Sequence, residues 1–85
     1  MNTEMNVDYA ARRNTLANEL GFMTEDQVAL LAMVKQTTVE DWRKRGNGPS
    51  YTRFGSAYFY DINDVRDHLK SLTKQKSREA ILRSI

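Results

Sequence analysis

The run Gly46-Asn47-Gly48-Pro49 divides this chain of 85 residues into two parts with different patterns. Before the run, apolar residues recur at helical spacing. After it, five of the eight aromatic residues fall within positions 51–60, a composition typical of strands. Glycine and proline interrupt regular structure, because glycine favours turn conformations and proline lacks an amide hydrogen. Any fold of this chain must therefore change from helix to strand at this run.

The aromatic stretch contains its own turn signal. Gly55-Ser56 lies in its middle, and a two-residue loop that begins with glycine is a common closure of a β-hairpin, because glycine readily adopts a positive φ. The sequence predicts a short hairpin with strands at about 51–54 and 57–60.

Two capping signals upstream predict two helices. Thr24 followed three residues later by Gln27 forms a capping box and predicts a helix at about 25–32. Thr37-Thr38-Val39-Glu40 offers a second capping box, so another helix should begin near Gln36 or Thr37 and continue through Trp42 to a stop at Gly46.

Only Met33-Val34-Lys35 separates these two helices, which is the spacing of a helix-turn-helix. Many helical hairpins have this spacing, so the pattern alone is not specific. The apolar positions expected to form the shared core of the pair are Val28, Leu31, Val34, Val39 and Trp42.

Two further helices are predicted at the ends of this region. Asp61 is a candidate N-cap for a helix at about 62–72 that would close the core with Ile62, Val65, Leu69 and Leu72. An additional helix is expected at about 8–20, with Gly21 just past its end. The predicted fold class is mainly α with a small β-hairpin. Its expected parts are an N-terminal extension at 1–22, a core domain at 23–72 and a basic tail at 73–85.

The residue inventory argues against enzymatic chemistry. The chain has no cysteine and a single histidine, His68, so it offers no disulfide, no thiol nucleophile and no His-based or Cys-based metal site. We therefore expect that the protein is not an enzyme and binds neither a cofactor nor a metal ion. No apolar run approaches the roughly 18 residues of a membrane helix, and the first residues do not resemble a secretory signal. A cytoplasmic protein that does not interact with membranes is therefore expected.

The net charge of +2 hides an uneven distribution of charge. Residues 35–58 contain five basic residues and two acids, and residues 70–85 contain five basic residues and one acid. A concentrated basic surface can bind polyphosphate, although blocks of charge also occur on ordinary solvated helices. The distribution is compatible with nucleic-acid binding and does not establish it.

Three sequence segments together resemble a known family: Met23-Thr24-Glu25-Asp26-Gln27-Val28-Ala29, Thr38-Val39-Glu40-Asp41-Trp42-Arg43-Lys44-Arg45-Gly46-Asn47-Gly48-Pro49, and Tyr60 with Asn63-Asp64-Val65. They closely resemble the excisionase-type, MerR-like winged helix-turn-helix domains of phage excisionases and AlpA-like prophage regulators. The resemblance covers about residues 23–70. It implies a sequence-specific double-stranded DNA-binding protein of a phage or mobile element that regulates transcription, assists excision as a recombination directionality factor, or does both.

The resemblance also implies which residues meet DNA. The second helix of a helix-turn-helix enters the major groove, and its reading residues here would be Lys35, Gln36, Thr37, Thr38, Glu40, Asp41 and Lys44. Contacts to the phosphate backbone and from the hairpin, which corresponds to the wing, would come from Thr24, Arg43, Arg45, Arg53, Ser56 and Tyr58. The partners would be promoter or attachment-site DNA, together with integrase or RNA polymerase.

Three positions depart from the family pattern, and the aromatic residues also have structural interpretations. Ala57 and Phe59 lie where relatives commonly carry basic wing residues, and Met33 lies where relatives usually have glycine. Trp42 is interpreted as a core anchor, and Tyr60 as a packing residue whose hydroxyl is in contact with water.

Two alternative functions remain open at this point. The chain could be the DNA-recognition domain of a phage terminase small subunit, or an interaction or inhibitor module that binds another protein through its acidic N-terminal segment. Exposed apolar residues could also support self-association. The two candidate patches are Tyr9, Leu16 and Leu20 near the N-terminus, and Ile81, Leu82 and Ile85 near the C-terminus.

Overall fold

The computed structural model describes the backbone of residues 2–84 and the side chains of residues 9–73. In chain order the elements are α1 (Asn2–Glu19), β1 (Phe22–Thr24), α2 (Glu25–Ala32), α3 (Gln36–Arg45), β2 (Thr52–Phe54), β3 (Ala57–Asp61) and α4 (Ile62–Ser84). The described residues thus form a mainly helical structure with four helices and a small antiparallel sheet of three strands. This arrangement is compatible with a winged helix-like fold.

Helix α2 begins and helix α3 ends at the expected signals, whereas α3 begins at Gln36 after Lys35, which makes no side-chain capping hydrogen bond, so the second capping box predicted at Thr37 and Glu40 does not form. The backbone amide of Thr24 donates to Gln27 Oε1 at 3.2 Å at the start of α2. Gly46 ends α3 in the left-handed conformation, with φ of 72°, and the following amide of Asn47 donates to the carbonyl oxygen of Trp42 at 2.9 Å. Local capping chemistry therefore determines both boundaries.

The sheet contains one strand that the sequence pattern did not predict. The hairpin strands β2 and β3 lie close to their predicted positions, with Gly55 at φ of 65° in the turn between them. The additional strand β1 pairs antiparallel with the other edge of β3, so the strand order is β1-β3-β2. Because β1 has only three residues, which directly precede the capping box of α2, it is too short to show a periodic pattern.

The core lies where α2, α3 and the first turn of α4 meet one face of the sheet. Its buried residues are Val28, Ala29, Val39, Tyr60 and Val65, and the partly buried Met23, Val34, Trp42 and Tyr58 pack against them. This core is small because the elements that enclose it are short.

Three leucines that were expected in the core are instead largely exposed. Leu31 lies at the end of α2, where the turn folds the chain back and the Val34 amide donates to the carbonyl oxygen of Ala29 at 3.0 Å, so Val34 fills that side of the core. In the part of α4 whose side chains are described, Val65 in the first turn is buried in the core, whereas Leu69 and Leu72 lie one and two turns further along and are about half exposed.

Both terminal helices are longer than predicted. α1 begins at Asn2 instead of near residue 8, and α4 continues to Ser84, through most of the segment expected to be a tail. The predicted apolar patch at Ile81, Leu82 and Ile85 lies outside the residues whose side chains are described. Within the described part of the chain, neither long helix combines length with enough apolar character to cross a bilayer.

The turn between α2 and α3 requires a left-handed residue, and that residue is Met33. Its φ is 59° and its side chain is 85% exposed, so it adopts a conformation that costs an L-residue about 1–2 kcal/mol without gaining packing in return. Glycine adopts this conformation without the steric cost, although it loses more backbone entropy on folding.

We therefore expect Met33→Gly to raise the free energy of unfolding by about 0.5–1 kcal/mol, measured by urea denaturation followed by circular dichroism. Met33→Ala is the matched control, because alanine removes the exposed side chain and keeps the conformational cost. A glycine variant no more stable than the alanine variant would show that Met33 is not strained.

Candidate nucleic-acid interface

A polar cleft lies between the start of α3, the hairpin and α1. Its volume is about 240 Å³. Residues from five elements of the fold and from the hairpin turn line it: Arg13 of α1; Thr24 of β1; Glu25 and Asp26 of α2; Gln36, Glu40 and Arg43 of α3; Ser56 of the turn; and Ala57 and Tyr58 of β3. The structure thus brings the first turn of α3 and the tip of the hairpin to one surface.

A buried ion pair lies at the base of this cleft. Arg43 Nε of α3 donates to Glu25 Oε2 of α2 at 2.9 Å, and the two side chains are only 11% and 10% exposed. The hydroxyl of Tyr60, in β3, donates to the same carboxylate oxygen at 2.6 Å. One carboxylate therefore holds together the two helices and the central strand of the sheet. We call these three residues the Glu25 triad.

Arg43 also connects α3 to the hairpin through aromatic contacts. Its guanidinium carbon lies 3.6 Å from the ring centroid of Tyr58 in β3, which is a close cation–π arrangement. Tyr51 packs edge-on against Tyr58, with ring centroids 5.8 Å apart. These contacts fix the hairpin relative to α3, so the cleft between them has a defined width.

The protonation states of the triad follow from burial and hydrogen bonding. Burial raises the pKa of Tyr60 well above its ordinary value, and the hydrogen bond to Glu25 raises it further. The hydrogen bond to Glu25 also raises the pKa of Arg43. Tyr60 is therefore a neutral donor, and Arg43 is charged, across the physiological pH range.

Two residues expected to contact phosphate have structural partners instead. Arg43 is occupied by Glu25 and Tyr58, as described above. Thr24 is only 2% exposed, and its hydroxyl lies 2.7 Å from Asn14 Oδ1 and 2.5 Å from Asp26 Oδ1. Both side chains are therefore engaged in contacts that stabilise the fold. The Tyr60 hydroxyl, expected in contact with water, is buried against Glu25 because β1 and α2 cover it.

The predicted reading residues are otherwise accessible. Gln36 and Glu40, one helical turn apart, line the cleft, whereas Thr38 lies on another side of α3 and is half-buried. The remaining predicted residues of this region and of the hairpin are exposed: Lys35, Thr37, Asp41, Lys44, Arg45, Arg53 and Ser56. Tyr58 is half-buried beneath Arg43. The accessible surface of α3 is therefore mixed in charge.

The sequence patterns did not identify two residues of the site. Arg13 of α1 lines the cleft, and its Nη2 atom lies 3.9 Å from Asp26 Oδ1. Glu25 belongs to a segment that resembles the family, but no sequence pattern marks it as a residue of the site. No local sequence signal predicts that α1 packs beside α2. This packing depends on β1 and on the turn at Gly21, whose carbonyl oxygen accepts a hydrogen bond of 2.9 Å from the Ile62 amide.

The described residues contain no group of three or more histidine or acidic side chains arranged to hold a metal ion. Comparison with protein-family models, with curated proteins and with solved structures finds no match for this chain. The features of this chain that bear on its function are therefore the cleft, the surface charge and the segments at 23–29 and 38–49.

The Glu25 triad predicts a distinct dependence of stability on alkaline pH. Because folding raises the Tyr60 pKa, the stabilisation by this tyrosine is complete below pH of about 10, the ordinary tyrosine pKa, and is lost as pH rises further. At neutral pH we expect Tyr60→Phe to lower the free energy of unfolding by about 1.5–3 kcal/mol, since it removes a hydrogen bond to a charged group.

Above pH of about 10 the difference between the wild type and Tyr60→Phe should shrink, by up to about 1.4 kcal/mol per pH unit, because only the wild type must keep this hydroxyl protonated on folding. Urea denaturation at a series of pH values measures the difference. Tyr51→Phe is the control, because Tyr51 is exposed and phenylalanine keeps the ring that packs against Tyr58, so this replacement should change little. A difference that stays constant from neutral to strongly alkaline pH would contradict this role of Tyr60.

Proposed function

We propose that this protein binds double-stranded DNA sequence-specifically through α3 and the β2–β3 hairpin. The observation that carries the proposal is the shared cleft, in which Gln36 at the start of α3 lies on the same surface as Ser56 at the hairpin tip. The quoted resemblance to excisionase-type, MerR-like winged helix-turn-helix domains supports the same orientation, with α3 as the recognition helix and the hairpin as the wing.

The dimensions of α3 suit a major groove. An α-helix with its side chains is about 10–12 Å across, and the major groove of B-DNA is about 12 Å wide. Gln36 and Thr37 lie in the first helical turn, which is the part of a recognition helix that reaches base edges. Glutamine can bond adenine through two hydrogen bonds, and threonine can contact a thymine methyl group. The first turn of α3 is therefore the proposed reading element.

The charge of the surface determines how strongly it binds. Lys35, Lys44, Arg45 and Arg53 are exposed and suited to phosphate, whereas Arg43 is neutralised by Glu25. The acids Glu40 and Asp41 can accept hydrogen bonds from cytosine, but they repel phosphate. We infer moderate affinity, with specificity sharpened by the acids.

In cellular terms, the proposed role is that of a phage or mobile-element regulator or excisionase in the bacterial cytoplasm. Occupying a promoter would help or block RNA polymerase, and occupying an attachment site would direct an integrase. Both roles come from the family resemblance. The protein would contribute DNA binding and shape, and no catalytic step.

The length of α4 favours a second candidate of the same class. This helix has 23 residues and extends well beyond Val65, the buried core residue in its first turn, and terminase small subunits commonly join a winged domain to a long helix. A protein of this kind would bind a packaging site on viral DNA. Binding to its phage's packaging site in preference to promoter or attachment-site DNA would favour this candidate.

The proposal predicts the salt dependence of DNA binding. With four exposed basic residues available for phosphate, the logarithm of the binding constant should fall with the logarithm of salt concentration with a slope of about −3.5. Fluorescence anisotropy with a duplex selected from a random library measures this slope. Lys44→Ala and Arg53→Ala should each weaken binding and reduce the slope by about 1.

The matched control is Arg66→Ala, since Arg66 is an exposed arginine of α4 that does not line the cleft, and its loss should leave the slope unchanged. Failure to select any duplex, or equal effects of all three substitutions, would refute the proposed DNA-binding surface. The first result would favour an interaction module that binds another protein.

A further inference from the structure

The N-terminal helix α1 contributes one basic residue to the polar cleft of the proposed DNA interface. Arg13 lines this cleft together with Gln36 of α3 and Ser56 at the hairpin tip. It belongs to the segment 1–22, which the sequence patterns predict to be an extension outside the DNA-binding domain. A third element of the fold therefore lies at the surface that is proposed to bind DNA.

Polar contacts fix the part of α1 that carries Arg13. Asn14 Oδ1 lies 2.7 Å from the hydroxyl of Thr24, directly before α2. One helical turn further along, the side-chain amides of Asn18 and Gln27 exchange two hydrogen bonds, of 2.9 and 3.0 Å. These contacts hold the backbone at Arg13 beside the start of α2 and next to the cleft.

Arg13 has a carboxylate neighbour, but the pairing is loose. Its Nη2 atom lies 3.9 Å from Asp26 Oδ1, and the two side chains are 50% and 38% exposed. An exposed ion pair of this length contributes little to stability, because water screens both charges. Asp26 also lies within hydrogen-bond distance of the Thr24 hydroxyl and the Asn14 amide. Arg13 can therefore exchange this carboxylate for another anion at little cost to the fold.

The charges that line the cleft make Arg13 the group that can attract an anion there. Arg43 is neutralised by Glu25, with which it forms the buried ion pair. Among the described residues of the lining, the other charged side chains are Arg13 and the acids Asp26 and Glu40. Both acids would repel a phosphate at the mouth of the cleft, and Arg13 is the cation that offsets them.

The proposed docking of α3 and the hairpin determines which anion lies there. Sugar–phosphate backbones border the major groove of DNA. When α3 lies in the groove and the hairpin tip reaches the flanking phosphates, the backbone between these two contacts passes over the cleft that separates α3 from the hairpin. Arg13 lines this cleft from the side of α1, so it faces that stretch of backbone.

We propose that Arg13 binds a phosphate of this backbone strand, so that α1 is a third DNA-contacting element of the protein. The guanidinium leaves Asp26 and donates two parallel hydrogen bonds to the phosphate oxygens, a geometry that arginine provides and lysine does not. The proposed contact rests on the proposed function, because it requires α3 in the major groove. It adds a role for the segment before residue 23, which the family resemblance does not cover.

The salt dependence of binding to the selected duplex tests this contact. Each phosphate contact adds about 0.9 to the slope, so the value of about −3.5 expected from the four basic residues already assigned to phosphate becomes about −4.5 with Arg13. Arg13→Ala should return the slope to about −3.5 and weaken binding about three- to tenfold at about 0.1 M salt. Arg13→Gln should have the same effect, because glutamine can still donate to Asp26 but carries no charge.

Arg12→Ala is the matched control. Arg12 is the preceding residue of α1 and is exposed, but it lines a separate apolar groove between α1 and the sheet face away from the core, and not the cleft. Its removal deletes the same charge from the same helix and should change the slope by much less than 1. Urea denaturation verifies that every variant is folded.

A scan of neutral phosphates locates the contact. Each duplex of the series carries one uncharged methylphosphonate in place of a phosphate, and its binding to the wild type, Arg13→Ala and Arg12→Ala is compared. We expect one position, on the backbone between the contacts of α3 and of the hairpin, at which neutralisation weakens binding by the wild type and Arg12→Ala but not by Arg13→Ala.

Equal slopes for the wild type, Arg13→Ala and Arg13→Gln would overturn the proposed contact. So would equal effects of the Arg13 and Arg12 substitutions, or a scan in which no position responds in this way. In each of these cases, binding that depends on Lys44 and Arg53 would leave the proposed function standing. Failure to select any duplex would instead overturn both proposals.

Discussion

The Glu25 carboxylate accepts hydrogen bonds from Arg43 of α3 and Tyr60 of β3, and the geometry of the rest of the structure depends on this arrangement. A domain with so small a core has few apolar contacts with which to fix the angle between a helix pair and a sheet. Burying a charge is costly unless it is paired, and in the Glu25 triad the Glu25 carboxylate pairs with the Arg43 guanidinium and accepts the Tyr60 hydroxyl. Removing one member would leave a buried group without its partner, which costs far more than the loss of a surface ion pair.

This arrangement also shapes the proposed interface. Arg43 looks like a phosphate-binding residue in the sequence, yet it holds Glu25 and stacks on Tyr58, which is how α3 and the hairpin come to lie at a fixed separation. The basic residues proposed to contact DNA lie just before α3, at its end and on the hairpin, and the acids Glu40 and Asp41 lie between them on α3. A surface of this composition favours selectivity over non-specific attraction to DNA.

Features that depend on local chemistry were predictable from the sequence, and features that depend on tertiary packing were not. The start of α2, the stop of α3 at Gly46 and the turn at Gly55-Ser56 follow from capping and turn preferences, and all three occur as predicted. The strand β1 has three residues and exists only because β3 offers it an edge. The burial of Thr24 and the exposure of Leu31 likewise depend on how α1 and α3 pack. A short stretch of sequence carries no information about this packing. The sequence predicted that Gln36, Glu40 and Arg43 of α3 belong to the site, but it did not predict Arg13 of α1.

The central claim is that α3 and the hairpin, fixed together by Glu25, Arg43 and Tyr60, form one surface that reads DNA. Amide chemical-shift mapping of the isotope-labelled protein, titrated with a selected duplex, tests this claim most directly. The largest shifts should occur in the first turn of α3, at Gln36 and Thr37, and at the hairpin tip, at Gly55 and Ser56. Shifts confined to α1 and to the sheet face away from the core, or no shifts at all, would contradict it.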